Sequence, residues 1–195
     1  SIDDNIFFLW DIFIKNPNSL FDNFYLRGLK ELHDKYGAKF TLNLFYEVNN
    51  RYSETFGPFS LNQFPERYRK EWERSSEWLR LAFHSFSEFP NRPYQNASPE
   101  KVLEDFNLVE REIKRFAGEA YTPTSITHWA MLPRESFPGL RKKGVKTMCG
   151  YFVPSKNKVN EDDLSYDVNY CFNDKISKYL SENKAMKDFE SEIVF

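Results

Sequence analysis

Apolar residues recur with helical spacing near the start of the chain. Ile6, Leu9, Trp10 and Phe13 share one side of a helix over residues 6–14, the favoured reading of a short apolar run that also suits a strand, and Asn16-Pro17-Asn18 ends it. A second helix carries Tyr25, Gly28, Leu29, Leu32 and Tyr36 on one face, with Gly37 placed as its C-terminal cap. Residues 38–46 (AKFTLNLFY) read as a strand, and 66–78 as a charged, surface-lying helix. Residues 78–83 (WLRLAF) read as a short strand that delivers His84. Ser98, Pro99 and Glu100 open another helix with a capping hydroxyl, proline in the first turn and an acid. Its apolar stripe is Val102, Leu103, Phe106, Val109, Ile113 and Phe116, and Gly118 closes it. Short strands follow over 124–127, delivering His128, and over 145–152, with a short helix ending at 140–144 between them. Helix and strand in alternation predict an α/β fold with parallel strands and crossover helices.

Beyond Pro154 the pattern weakens. Residues 156–163 are polar and linker-like, and 166–172 and 192–195 are candidate strands of an added element. The expected organisation is a domain over residues 1–154 and an extension over 155–195. The 195 residues suit one domain with such an appendage. With 27 basic and 29 acidic residues, there is no electrostatic footing for nucleic-acid binding. Cys149 and Cys171 fit neither a disulfide framework nor a metal motif, which leaves a pair of buried thiols as the expectation. No apolar run approaches the ~20 residues of a membrane span, and no signal peptide is visible. The cytoplasm is slightly favoured, although a start at Ser1 rather than Met gives that little weight. The oligomeric state is open.

Active sites of parallel α/β folds gather at the carboxyl ends of the strands. Asp3-Asp4, His84 and His128 are the polar residues at such places, whereas His33 lies mid-helix and reads as structural. One carboxylate and two imidazoles, with a position left for water, are a sensible catalytic set for a divalent ion, Zn²⁺ foremost. Such an ion lowers the pKa of bound water toward ~7, and a second carboxylate nearby can take its proton. Adjacent Asp3 and Asp4 face opposite ways in extended chain, so one can ligate and the other act as base, given a bend at the strand end. Glu88, four residues after His84, faces the same way in a helical turn and can be a partner that orients His84, a ligand, or a solvent-facing residue. Each residue has a plainer reading. Asp3-Asp4 can cap the helix beginning near Asn5, His84 can be a buried histidine bonded to backbone, and His128 can pack on Trp129.

The motifs resemble those of the polysaccharide deacetylase family, the NodB-like carbohydrate esterases of family four. Ser1-Ile2-Asp3-Asp4 is similar to the T-F-D-D that ends the family's first strand, and LKELHDKYGAKFTLNLF to its following helix and second strand. His84-Ser85-Phe86-Ser87-Glu88 resembles H-[ST]-x-x-H with Glu88 in place of the second His. THWAMLP falls where R-x-P-Y is expected but lacks the Arg and Tyr, and no His follows His128. The resemblance covers roughly residues 1–152. It implies a distorted seven-stranded (β/α) barrel with Asp3 as base and Asp4 as ligand; His128 is read as standing in for the missing metal His. It further implies a metal-dependent hydrolase that removes acyl groups from a carbohydrate or related amide or ester. The alternative is a non-catalytic carbohydrate-binding protein on the same scaffold, with Trp129, Tyr94 and Phe89 stacking on sugar rings.

Overall fold

The computed structural model describes residues 1–48, 56–150, 152, 170, 172–182 and 184–195. Chain contacts divide it into two units: Ser1–Glu88 with Phe106–Thr122, and Phe89–Asp105 with Pro123–Phe195.

The first unit is built on three parallel strands, β1 (Ile2–Asn5), β2 (Phe40–Phe45) and β3 (Leu79–Ser85), in the spatial order β1-β2-β3. Between β1 and β2 lie α1 (Phe7–Lys15) and α2 (Phe24–Tyr36), and α3 (Arg69–Ser75) precedes β3. Helix α4 (Pro99–Ala117) supplies this unit with its residues from Phe106 onward. Six of the seven β3 residues are buried, as in a parallel strand covered on both faces. The buried core comprises Leu42, Leu44, Leu79, Leu81 and Phe83 of the sheet, Leu9 and Ile12 of α1, Leu26 of α2, Trp72 of α3 and the Phe106, Val109, Ile113 and Phe116 stripe of α4.

Local chemistry explains the helix limits. Asn16 ends α1 in the left-handed conformation (φ 50°), donating its N–H to the Ile12 carbonyl at 2.8 Å. Asn23 caps α2, accepting from the backbone N–H groups of Tyr25 and Leu26 at 3.1 and 3.2 Å, and Gly37 closes that helix at φ 68°. His33, on the last turn of α2, stacks on Trp78 at 4.6 Å and bonds through Nδ1 to the Ala38 carbonyl oxygen at 2.9 Å, a structural role.

The second unit holds α5 (Phe137–Lys142) and α6 (Asp174–Ser181) around an aromatic cluster. Phe195 lies against Phe137, Tyr170 and Phe172 with ring centroids 5.2, 5.4 and 4.9 Å apart. Among its described residues, strand-like pairing consists of single bridges: Ser125 with Met148, and Val194 with both Thr147 and Lys187. Near the chain end, Asp188 accepts from the Ser191 hydroxyl at 2.6 Å, from the Ser191 N–H at 2.9 Å and from Arg134 at 3.2 Å. Burial alone would raise this carboxyl, but the Ser191 donors and Arg134 outweigh it and hold it below the usual carboxylate range. Its folded pKa is therefore the lower one. The stabilisation is present above the unfolded value of about 3.9 and is lost as pH falls through the folded value. Asp188→Asn is expected to cost about 1–3 kcal/mol at neutral pH and to flatten the acid limb of stability, read as urea midpoint against pH.

The described residues form an open three-stranded parallel sheet with six α-helices, not a seven-stranded barrel. Residues 124–127 contribute one bridge, because Pro123 and the turn at His128 leave too short an extended run to build a ladder. The helix expected over 66–78 divides into a 3₁₀ turn, Glu66–Tyr68, and α3. Cys149 is exposed rather than buried, and Cys171 lies outside the described residues, as do the linker at 156–163 and most of the candidate strand at 166–172. Among the described residues no helix is long and apolar enough to cross a membrane.

Candidate metal centre

The carboxyl ends of β1 and β3 carry the same irregularity. On β1, Ile2 pairs with Leu42 but Asn5 with Leu44, so one extra residue is accommodated, and Asp4 takes a left-handed φ of 58° within that shift. On β3, Phe83 pairs with Leu44 but Ser85 with Phe45, which leaves His84 as the extra residue. Shifts of this kind re-aim side chains at sheet ends. Here they turn Asp4 and His84 toward each other, with His84 Nε2 3.0 Å from Asp4 Oδ1. The His84 side chain is 3% exposed and that of Asp4 57%, so the pair has a dry side and a wet side. The ring of Phe45 lies 5.2 Å from the imidazole.

Asp4 does not cap α1: Ile6 occupies the N-cap position, and no side chain accepts a hydrogen bond there. Asp3, by contrast, reaches β2, where its Oδ1 accepts from Asn43 Nδ2 at 2.6 Å. The two neighbouring carboxylates thus have separate partners, and the bend this requires is the β1 register shift. Asn5 braces it, donating to the carbonyls of Ile2 and Asp3 at 2.7 and 3.0 Å and accepting from the Tyr25 hydroxyl at 3.1 Å. Burial raises the Tyr25 pKa and keeps that donor protonated.

Asn5 and Asn43 are positioning residues that the sequence reading passes over. Asn43 had a signal: it is a lone amide inside the apolar run FTLNLF, and it is 1% exposed. Its Nδ2 serves both Asp3 and the Ser1 hydroxyl at 2.6 Å, while its Oδ1 is buried without a hydrogen-bond partner.

His128 opens a 3₁₀ turn, His128–Ala130, instead of ending a strand. Trp129 and Ala130 are both left-handed (φ 61° and 44°), uncommon for residues other than glycine and the kind of local strain that clusters at functional sites. Asp4, His84 and His128 form a group of side chains that could hold a metal ion, each offering one ligand atom. One carboxylate oxygen and two imidazole nitrogens are donors that a divalent ion accepts. The 3.0 Å Asp4–His84 spacing is a hydrogen-bonding distance. It is also near the roughly 3.3 Å between ligand atoms that share a tetrahedral metal ion about 2.0–2.1 Å away.

Glu88 does not join this group. The chain leaves β3 at Ser85 without forming a helical turn, so the four-residue spacing from His84 does not align the two side chains. Tyr94 is 1% exposed and donates its hydroxyl to Asp105 at 3.2 Å, so it offers no face to a sugar. The guanidinium of Arg92 sits over the Trp129 ring at 5.5 Å.

Fold and site together define an α/β protein with a three-stranded parallel sheet and a candidate metal-binding group at its carboxyl edge. Compared with known proteins, the chain matches no family model, no curated protein and no solved structure.

Proposed function

We propose that this chain is a metal-dependent hydrolase that removes an acyl group from a carbohydrate or a related amide or ester. The observation that carries the reading is the pair of register shifts that turn Asp4 and His84 to face each other at the strand ends. Natural sheets keep such irregularities where a side chain must be re-aimed. Asp4, His84 and His128 are the proposed ligands, with Zn²⁺ the ion that best suits the donor set.

The bound ion would supply a water of lowered pKa and polarise the acyl carbonyl. Asp3, held by Asn43, is the proposed base. It takes the proton of the attacking water as oxygen adds to the acyl carbon, then returns it to the leaving oxygen or nitrogen as that bond breaks. The products are a carboxylic acid and the freed alcohol or amine. The resemblance to polysaccharide deacetylases supports the same order of roles for Asp3 and Asp4, with the chemistry placed on an open sheet.

The test is hydrolysis of acyl esters and amides by zinc-loaded protein. Turnover should disappear with chelator and return with Zn²⁺. Asp3→Asn should lower kcat about 10²–10⁴-fold while metal content stays unchanged. Turnover indifferent to chelator, or to Asp3→Asn, would contradict the reading.

A further inference from the structure

A cavity of about 370 Å³ opens beside Asp4, within the first unit. Its walls are aromatic: Phe7, Phe8 and Trp10 of α1, Phe24 and Tyr25 at the start of α2, and Phe56. The Phe56 ring lies 4.5 Å from Phe7 and meets Trp10 edge-on at 5.1 Å. Phe24 is 71% exposed. An aromatic residue left this wet while lining a concave apolar surface marks a binding groove more often than an accident of folding.

Among the described residues lining the cavity, the polar groups are largely committed to the protein itself. Both hydrogen bonds donated by Asn5 go to backbone carbonyls, and its oxygen accepts from Tyr25. Asp11 accepts from Lys15 at 2.6 Å and from Asn23 at 2.8 Å. A sugar ring buried here would bring several hydroxyls and find few partners, and each hydroxyl left unsatisfied on desolvation is costly. An apolar group meets no such penalty. Asp4, the proposed ligand, is among the residues that line the cavity.

We infer that this cavity receives the apolar part of the substrate, a medium-length alkyl chain or an aryl ring, and so selects substrates by an apolar group carried next to the bond that reacts at Asp4. The position of that bond rests on the hydrolase reading; the cavity's preference for an apolar ligand does not. A cavity of this size is at the lower end of those that hold small ligands, which fits one such group rather than an oligosaccharide.

The test is calorimetric titration of the metal-stripped full chain with neutral N-methyl amides of acetic, butyric, hexanoic and phenylacetic acids. Affinity should rise about fourfold per methylene from acetyl to hexanoyl. Phe24→Ala, at an exposed position that folding does not depend on, should weaken the hexanoyl amide about tenfold, as should Trp10→Ala. Phe189→Ala, at an exposed aromatic position outside this cavity, should leave it unchanged. Affinity independent of chain length, or unaltered by Phe24→Ala, would overturn the inference. Metal content measured on the same preparations reports on the hydrolase reading separately. Chain-length selectivity without metal would sink that reading alone, and metal without selectivity would sink the cavity inference alone.

Discussion

Trp72→Ala is expected to cost the first unit about 3–5 kcal/mol, the largest stability effect of any single substitution considered. Trp72 is fully buried on α3, with the rings of Phe8 and Phe116 6.4 and 6.5 Å away. It therefore joins α1, α3 and α4 through one side chain, and its removal leaves a cavity that three separate elements cannot close together. Its Nε1 is buried without a hydrogen-bond partner, so Trp72→Phe loses no bond and relieves that unsatisfied donor. The phenylalanine variant should accordingly fall well short of the alanine cost. Urea denaturation of the three proteins checks both statements. A loss below about 1 kcal/mol in the alanine variant would mean that α3 does not pack as described.

The second large effect is on metal affinity. His84→Ala removes one of the proposed ligands and the partner of Asp4. Changes to groups that merely orient a ligand weaken metal binding about 10–100-fold, so removing a ligand should exceed about a hundredfold. The variant also leaves space beneath Phe45, and circular dichroism must show that it remains folded. His128→Ala is expected to act in the same direction, and Glu88→Ala to leave affinity unchanged, since Glu88 stands outside the group. Competition with a chromogenic chelator measures all three. Equal affinity in wild type and His84→Ala would remove His84 from the ligand set.

These expectations show which parts of the molecule are legible in the sequence. Helices α1, α2 and α4 carry apolar stripes at helical spacing and residues that mark their ends, Asn16, Gly37 and Ser98 among them, so their existence follows from local chemistry. Strands β2 and β3 announce themselves as apolar runs because both faces are covered. The short β1 carries only four residues, two of them acids, and a cap for α1 is as good a reading of SIDDN as a strand end. What separates the two is pairing with Leu42 and Leu44, some forty residues away, which no local pattern encodes.

The barrel failed for a related reason. Closing a sheet depends on long-range pairing of segments such as 124–127, and a four-residue run beside Pro123 is compatible with a strand without requiring one. The candidate ligands were legible because histidine is rare in this chain and two of its three copies follow extended segments. The register shifts that aim Asp4 and His84, and the amides of Asn5 and Asn43 that hold the Asp3-Asp4 segment, were not. A shift is a property of two strands together.

The most direct measurement is elemental analysis of the wild-type chain, equilibrated with Zn²⁺ and then freed of unbound ion. One ion per chain is the expected result. No bound metal, after reconstitution with Zn²⁺, Co²⁺ or Mn²⁺ in turn, would contradict it and leave the Asp4–His84 pair as a hydrogen bond that fastens β1 to β3.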